Sequence, residues 1–251
     1  MTLLPVPRIA VIVVAAGSGT RLEAGAPKAF VGIDSRPILR HALDGVFAAA
    51  PAQVIVVAPE GFEGDAETEV SAAAGERSPL TRVVTGGATR QESVAAGLAA
   101  LWGEVRIVLV HDAARALASP ALIRSVEAAV RAGHRAVVPG LPVADTIKQV
   151  GEPVDGAAPV VATVPRATMR AVQTPQGFDR ALLDAAHAAG AHRAASEATA
   201  ATDDAALVEA LGERVWVVPG EEQAMKITTT RDLAVAELLA RDAAARDGVR
   251  S

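Results

Sequence analysis

Short β-branched runs alternate along this chain with longer stretches in which apolar positions recur every three or four residues. The runs at 9–16, 53–58, 81–85, 106–111, 135–139 and 214–218 are mostly continuous in Val, Ile, Leu and Ala, the pattern of strands covered on both faces. Amphipathic stretches at 38–49, 63–74, 91–101, 120–132, 179–189 and 204–211 read as helices between them, and 230–244 as a closing helix. Start signals accompany several: Ser119 precedes Pro120 at a first helical position, and Thr202 precedes Asp203 and Asp204 in another first turn. Such alternation predicts an α/β fold with a single doubly wound, mostly parallel, Rossmann-like sheet flanked by helices and joined by right-handed crossovers. Ligands of these sheets sit beyond the carboxyl ends of the strands, so the residues that follow each strand are the candidates for chemistry.

One stretch departs from the rhythm. Between 141 and 174 the extended pieces 145–150, 160–164 and 170–174 are split by Gly151, Pro153, Gly156 and Pro159, which reads as a hairpin-like excursion. The expectation is one domain over 1–251 with a β-arm projecting from it at about 141–174.

Composition narrows the partners. The hydrophobic fraction is 51%, yet there are only four Phe, two Trp and no Tyr, so the core must be built from small and branched aliphatics. A net charge of −5 excludes a general cationic surface for nucleic acid or anionic lipid, and any phosphate must be met by a few placed cations. With no cysteine there is no disulfide framework, thiolate zinc site or Cys nucleophile. The apolar run at 9–16 is too short to span a bilayer and lacks the charge-then-apolar order of a secretory signal. A cytoplasmic protein without a membrane partner is expected.

The first strand runs into AAGSGTR at 15–21, followed by Pro27 and Lys28. Small residues let backbone amides approach a nucleotide, Gly17 and Gly19 reach conformations closed to other residues, and Arg21 with Lys28 can bracket a triphosphate. The dinucleotide fingerprint would need Gly where Leu22 stands, and the P-loop's Gly-Lys-Ser/Thr is absent. The plainer alternative is a connecting turn with both cations solvated.

This loop looks like the signature of nucleoside-triphosphate sugar transferases. Further segments extend the match: GGATRQESVAAGL at 86–98, LVHDAAR at 109–115, PVADTIK at 142–148, VQTPQGF at 172–178, TDDAALVEALG at 202–212 and MKITTTRDL at 225–233. In this order, covering 11–239, they resemble the 2-C-methyl-D-erythritol 4-phosphate cytidylyltransferases of the non-mevalonate isoprenoid pathway. The resemblance implies in-line attack of the acceptor phosphate on the α-phosphorus of CTP, with Arg21 and Lys28 as the catalytic cations. It implies nucleotide contacts from Ala15, Ala16, Gly17, Gly19, Gly87, Ser93 and Ala113. Acceptor contacts would come from Asp112, Arg115, Thr146, Arg166, Thr174 and Lys226. It also implies a homodimer through the arm, in or beside which Thr146, Arg166 and Thr174 lie, so that each site borrows residues from its neighbour. From the residues alone, Thr174 reads as a turn residue before Pro175 and Arg166 as a surface charge.

Magnesium is expected because it bridges phosphate oxygens and uses one or two protein carboxylates. Asp112, at the end of an apolar strand, suits that role, although a helix-capping Asp is the alternative. The second acid expected from the family falls in Gly220-Glu221-Glu222-Gln223, with Glu222 preferred over Glu221 and a solvated turn as the alternative. The family's acidic residue near Ala88 is missing, Ala116 stands where Pro is usual, and Pro165 where an acid is common. His111 is set aside as a general base, since a phosphate monoester dianion is already a competent nucleophile. Ser93 has a second reading, back-bonding to its own preceding turn. Two rival functions remain at this stage: a ribitol 5-phosphate cytidylyltransferase and a non-catalytic nucleotide-binding module.

Overall fold

A computed structural model describes residues 8–17, 26–194, 196 and 199–248. Strand β1 (Arg8–Val14) is buried from Ile9 to Val13 and lies at the centre of the main sheet. The next elements are a two-residue pair, β2 (Gly32–Ile33) and β3 (Arg36–Pro37), then α1 (Ile38–Ala48), β4 (Gln53–Ala58), α2 (Glu63–Ala74) and β5 (Thr81–Thr85). After α3 (Arg90–Ala99) come β6 (Val105–Asp112), α4 (Pro120–Arg131) and β7 (Ala136–Pro142). The second half holds β8 (Ile147–Val150), β9 (Val160–Val164), β10 (Arg170–Val172), β11 (Gln176–Asp179), α5 (Arg180–Gly190), α6 (Asp204–Ala210), β12 (Trp216–Pro219) and α7 (Thr230–Gly248).

β1 pairs in parallel with β4 on one side and β6 on the other, and β4 pairs in parallel with β5. The order is β5-β4-β1-β6-β11-β7, with β10 and β12 also on β7. Because the chain runs outward from β1 to β5 and then returns to β6 on the opposite flank, the topological switch lies between β1 and β6. A crevice at their carboxyl ends is what this topology leaves open.

Helices cover both faces, as the continuous apolar strands require. On one face Leu43, Val46, Ile123 and Val126 of α1 and α4 pack on Val11, Val56 and Leu109. On the other, Val94, Leu98, Leu183 and Leu207 of α3, α5 and α6 pack on Ile12, Ile55 and Val108. The scarcity of large aromatics lets the layers come close. A Cβ at Gly97 of α3 would stand 2.6 Å from Ile12 Cγ2, so the helix can lie on the sheet only without one.

The doubly wound sheet is as the alternation predicts, and β11 corrects its detail. This antiparallel strand is wedged between β6 and β7 in a segment that gives no β-branched run. Its placement rests on tertiary packing: Phe178 is fully buried, and a Cβ at Gly177 would meet Val126 Cγ1 at 2.6 Å. The β2–β3 hairpin is a second unanticipated element. Asp34 and Ser35 hold φ of 46° and 68°, the positive values a two-residue type I′ connection needs. It packs against α7 through Ile33 and Ala236, and Arg241 Nε donates to Asp34 Oδ1 at 2.9 Å.

The excursion is a separate two-stranded sheet of β8 and β9, and the chain then returns to pair β10 against β7. Val150, Val160 and Val161 on it are more than half exposed. Among the described residues no helix is long and apolar enough to cross a membrane.

Candidate active site

At the switch point Ala15 N–H donates to Val57 O and Ala113 N–H to Val14 O, so the backbone beyond β1 and β6 is fixed from both neighbouring strands. A cleft of about 570 Å³ opens there. Its floor is Ala15, Ala16 and Gly17 from the first loop and Asp112 and Ala113 from the end of β6, with Gly87 and Ser93 forming a wall and Lys28 and Lys226 reaching the rim. Most of the nucleotide positions expected from the sequence therefore converge on one cavity. Gly19 and Arg21 lie outside the described residues.

Local chemistry explains the wall. Thr89 caps α3, its Oγ1 accepting from Glu92 N–H at 3.1 Å, while Glu92 Oε2 accepts from Ala88 N–H at 2.8 Å. Ser93 Oγ donates to Thr89 O at 2.9 Å and accepts from Gly87 N–H at 3.2 Å. Thus Ser93 does back-bond to its own turn, and the same hydroxyl fixes the glycine loop. A Cβ at Gly86 would stand 2.4 Å from Ala16 Cβ, so this glycine permits the two loops to touch.

The cleft's acid is Asp112. Its Oδ1 accepts from Arg90 Nε at 3.1 Å, its Oδ2 from Lys226 Nζ at 2.7 Å, and its own N–H donates to Thr174 Oγ1 at 3.0 Å. Arg90 Nη1 donates to Asp204 Oδ2 at 2.8 Å, and Asp204 Oδ1 lies 2.8 Å from His187 Nε2. Burial by itself would raise the Asp112 carboxyl, but the charges of Arg90 and Lys226 outweigh it and hold the group well below the ordinary carboxylate range. The same competition lowers Asp204, where burial is outweighed by Arg90 and His187. It raises Arg90, where burial yields to Asp204 and Asp112.

His111 faces the other way. Its Nδ1 lies 3.2 Å from Thr174 Oγ1, Nε2 is buried without a partner, and burial pushes the imidazole down to about 4. A neutral, enclosed ring is no proton shuttle, in keeping with its exclusion on chemical grounds.

The acceptor positions divide into two groups. Asp112 and Lys226 line the cleft, and Thr174 is buried against Asp112. Arg115 sits behind, donating to Ala224 O at 2.8 Å and Val172 O at 3.1 Å. Thr146 and Arg166 are exposed, at the base of the arm and beyond it, and neither lines the cleft; Arg166 donates to Ala144 O. Glu222 is exposed on a short turn and does not line the cleft either. Glu221 is engaged elsewhere, accepting from Ser119 Oγ at 2.6 Å. Among the described residues no group of three or more His, Cys, Asp or Glu forms a metal cage. Magnesium takes one or two carboxylates together with phosphate oxygens. Asp112 is the one acid lining the cleft among the described residues, and it would hold the ion by exchanging one of its contacts with Arg90 or Lys226.

Arg90, Asp204 and His187 escaped the sequence reading. Arg90 stands inside GGATRQES and Asp204 inside TDDAALVEALG, but nothing in either segment says that positions 114 apart share an ion pair.

A doubly wound sheet with a glycine-walled, cation-rimmed crevice at its switch point puts the chain in the Rossmann-like class of nucleotide-handling α/β proteins. Comparison with known proteins narrows the class. The family described as "IspD: 2-C-methyl-D-erythritol 4-phosphate cytidylyltransferase" matches residues 9–242, and the chain belongs to that family. A bifunctional IspD/IspF enzyme of Clavibacter michiganensis is 53% identical over 241 residues; the match takes in 95% of this chain and 56% of that protein. A 2-C-methyl-D-erythritol 4-phosphate cytidylyltransferase of Streptomyces coelicolor is 49% identical over 92% of this chain and 84% of its own length. Among solved structures, the Anaerococcus prevotii 4-diphosphocytidyl-2C-methyl-D-erythritol synthase superposes with a TM-score of 0.78 at 31% identity, covering 94% of this chain and 99% of that one. The Thermus thermophilus cytidylyltransferase gives 0.70 at 39% identity, covering 92% and 98%.

Proposed function

We propose that this chain, acting as a single nucleotidyltransferase domain, joins 2-C-methyl-D-erythritol 4-phosphate to the CMP moiety of CTP. An oxygen of the acceptor phosphate attacks the α-phosphorus of CTP, the bond from that phosphorus to the bridging oxygen breaks, and pyrophosphate leaves with the electron pair. The products are 4-diphosphocytidyl-2-C-methyl-D-erythritol and pyrophosphate.

The observation that carries this reading is the convergence of Lys28, Asp112 and Lys226, from three distant segments, on one cleft otherwise lined by small residues such as Ala15, Ala16, Gly17 and Gly87. Cytosine is neutral, so backbone groups of Ala15, Ala16 and Gly87 suit it better than an ion pair would. Lys28, with Arg21 on the same loop, would neutralise charge as it builds on the five-coordinate phosphorus. Lys226 would draw the acceptor phosphate toward the same point, and holding both anions in line supplies much of the rate. Asp112 would hold Mg²⁺, which when bound neutralises phosphate charge and orients the triphosphate.

The arm supports a homodimer. Thr146 and Arg166 do not line this chain's cleft, and the arm's valines are exposed, so both residues would reach an acceptor phosphate only in a neighbouring copy's site. The proposed location is cytoplasmic, where CTP and phosphorylated sugar alcohols are found together.

The test is pyrophosphate release from CTP and Mg²⁺ with each of two acceptors. Faster turnover with 2-C-methyl-D-erythritol 4-phosphate is expected. Faster turnover with ribitol 5-phosphate would reassign the acceptor, and CTP binding without release with either would make the chain a nucleotide-binding module.

A further inference from the structure

Five side chains form one line through the protein, from the back of α5 to the cleft: His187, Asp204, Arg90, Asp112 and Lys226. Only the last three line the cleft. Asp204 is 1% exposed and His187 7%, so neither touches a substrate in the site described. The ions belong to the first turn of α6, the first turn of α3, the end of β6 and the segment before α7.

Such a line is weak evidence for stability, because the desolvation of buried ions consumes most of what their attraction returns. Here the arrangement even leaves Arg90 Nη2 buried without a partner. What it does supply is direction. Each Asp112 oxygen faces one cation, and Arg90 bridges two acids, its Nε on Asp112 Oδ1 and its Nη1 on Asp204 Oδ2. Lys226, 41% exposed, is left with a single carboxylate oxygen and an open side toward the cleft.

We propose that Asp204, steadied by His187, is a positioning residue: through Arg90 it fixes the Asp112 carboxylate and so keeps the Lys226 ammonium presented to the acceptor phosphate. Without that hold, Arg90 swings away and Lys226 closes on both oxygens of Asp112, withdrawing from the cleft. The inference rests on the reading of Asp112 and Lys226 as acceptor-side groups.

A double-mutant cycle tests it in the full-length protein, using pyrophosphate release from CTP and 2-C-methyl-D-erythritol 4-phosphate. Asp204→Asn should lower kcat by roughly tenfold to a hundredfold, the usual effect of removing a group that orients a site residue, while KM for CTP stays within about twofold. In an Asp112→Asn background the same substitution should change kcat by less than about twofold, because the two act as one unit. His187→Gln, which keeps a donor toward Asp204, should retain most of the activity that His187→Leu loses. Independent multiplicative effects of Asp204→Asn and Asp112→Asn would overturn the proposal, as would a kcat loss that merely tracks thermal unfolding. A crystal structure of Asp204→Asn gives a readout free of activity: Lys226 bonded to both Asp112 oxygens is expected, and an unchanged Arg90–Asp112 contact would refute it. Should the unsubstituted chain release no pyrophosphate, the functional reading fails, and the crystallographic result still decides this inference.

Discussion

Lys226 Nζ lies 2.7 Å from Asp112 Oδ2 across 114 positions of sequence. The contact is built into the backbone as well: Ile227 N–H donates to Ala114 O at 2.8 Å, and Ile227 is buried with Ile33 and Ile38. A segment stitched beside the end of β6 therefore carries its ammonium to the carboxylate with little freedom to leave. Lys226→Met keeps the stem and removes the charge. Steady-state kinetics should show kcat/KM for the acceptor phosphate falling roughly 10²-fold, with a much smaller change in CTP affinity. Equal losses for both substrates would move Lys226 to the nucleotide.

Lys28 opens a short helical turn and lines the cleft, and Arg21 stands seven positions before it in the sequence. Groups that act on charge built up in the transition state lower kcat when removed, and leave ground-state binding largely intact. Lys28→Ala and Arg21→Ala are each expected to depress turnover far more than CTP affinity measured by titration. Parallel losses in both quantities would mean ordinary ground-state binding.

His111 gives a pH dependence with a definite sign. Its folded value of about 4 lies below the free value of 6.5, so between those pH values the unfolded chain takes up a proton that the folded one refuses. Stability is then fully present above pH 6.5 and is lost as pH falls toward 4, at up to about 1 kcal/mol per pH unit. Urea unfolding of the metal-free protein at several pH values should show this slope, and His111→Gln should flatten it. A slope of the opposite sign would mean that the ring is charged in the fold.

Gly86 is the point where the two nucleotide loops meet, and a Cβ there would stand 2.4 Å from Ala16 Cβ and 2.9 Å from Ser93 Oγ. Gly86→Ala should cost roughly 1–3 kcal/mol of stability and weaken CTP binding, because the overlap can be relieved only by separating the loops. Gly103→Ala, with nothing within 4 Å, is the control and should stay within about 0.5 kcal/mol of the parent in the same denaturation experiment.

Much of this architecture is legible in the sequence. Continuous apolar strands and amphipathic helices announce the doubly wound sheet, and the AAGSGTR, GGATRQES and LVHDAAR segments fall where the switch-point rule directs attention. β11 is not legible, because a four-residue strand containing Gly177 carries no periodicity and is held by Phe178 and by α4 lying close on the glycine. The Arg90–Asp204–His187 contacts are equally hidden. Ion pairs between distant segments leave no mark on local pattern, whereas the capping roles of Thr89 and Ser119 are local and follow from their positions before α3 and α4. Glu222, the acid preferred for a second metal contact, is exposed on a turn and does not line the cleft, and a side chain's distance from Asp112 is likewise something its place in the sequence does not carry.

The most direct test of the central claim is a crystal structure with CTP and magnesium bound. The account predicts cytosine against the backbone of Ala15, Ala16 and Gly87, phosphate oxygens within hydrogen-bond reach of Lys28, and the metal in contact with Asp112. A nucleotide bound elsewhere, or one in this cleft whose triphosphate points away from both Lys28 and Asp112, would contradict it.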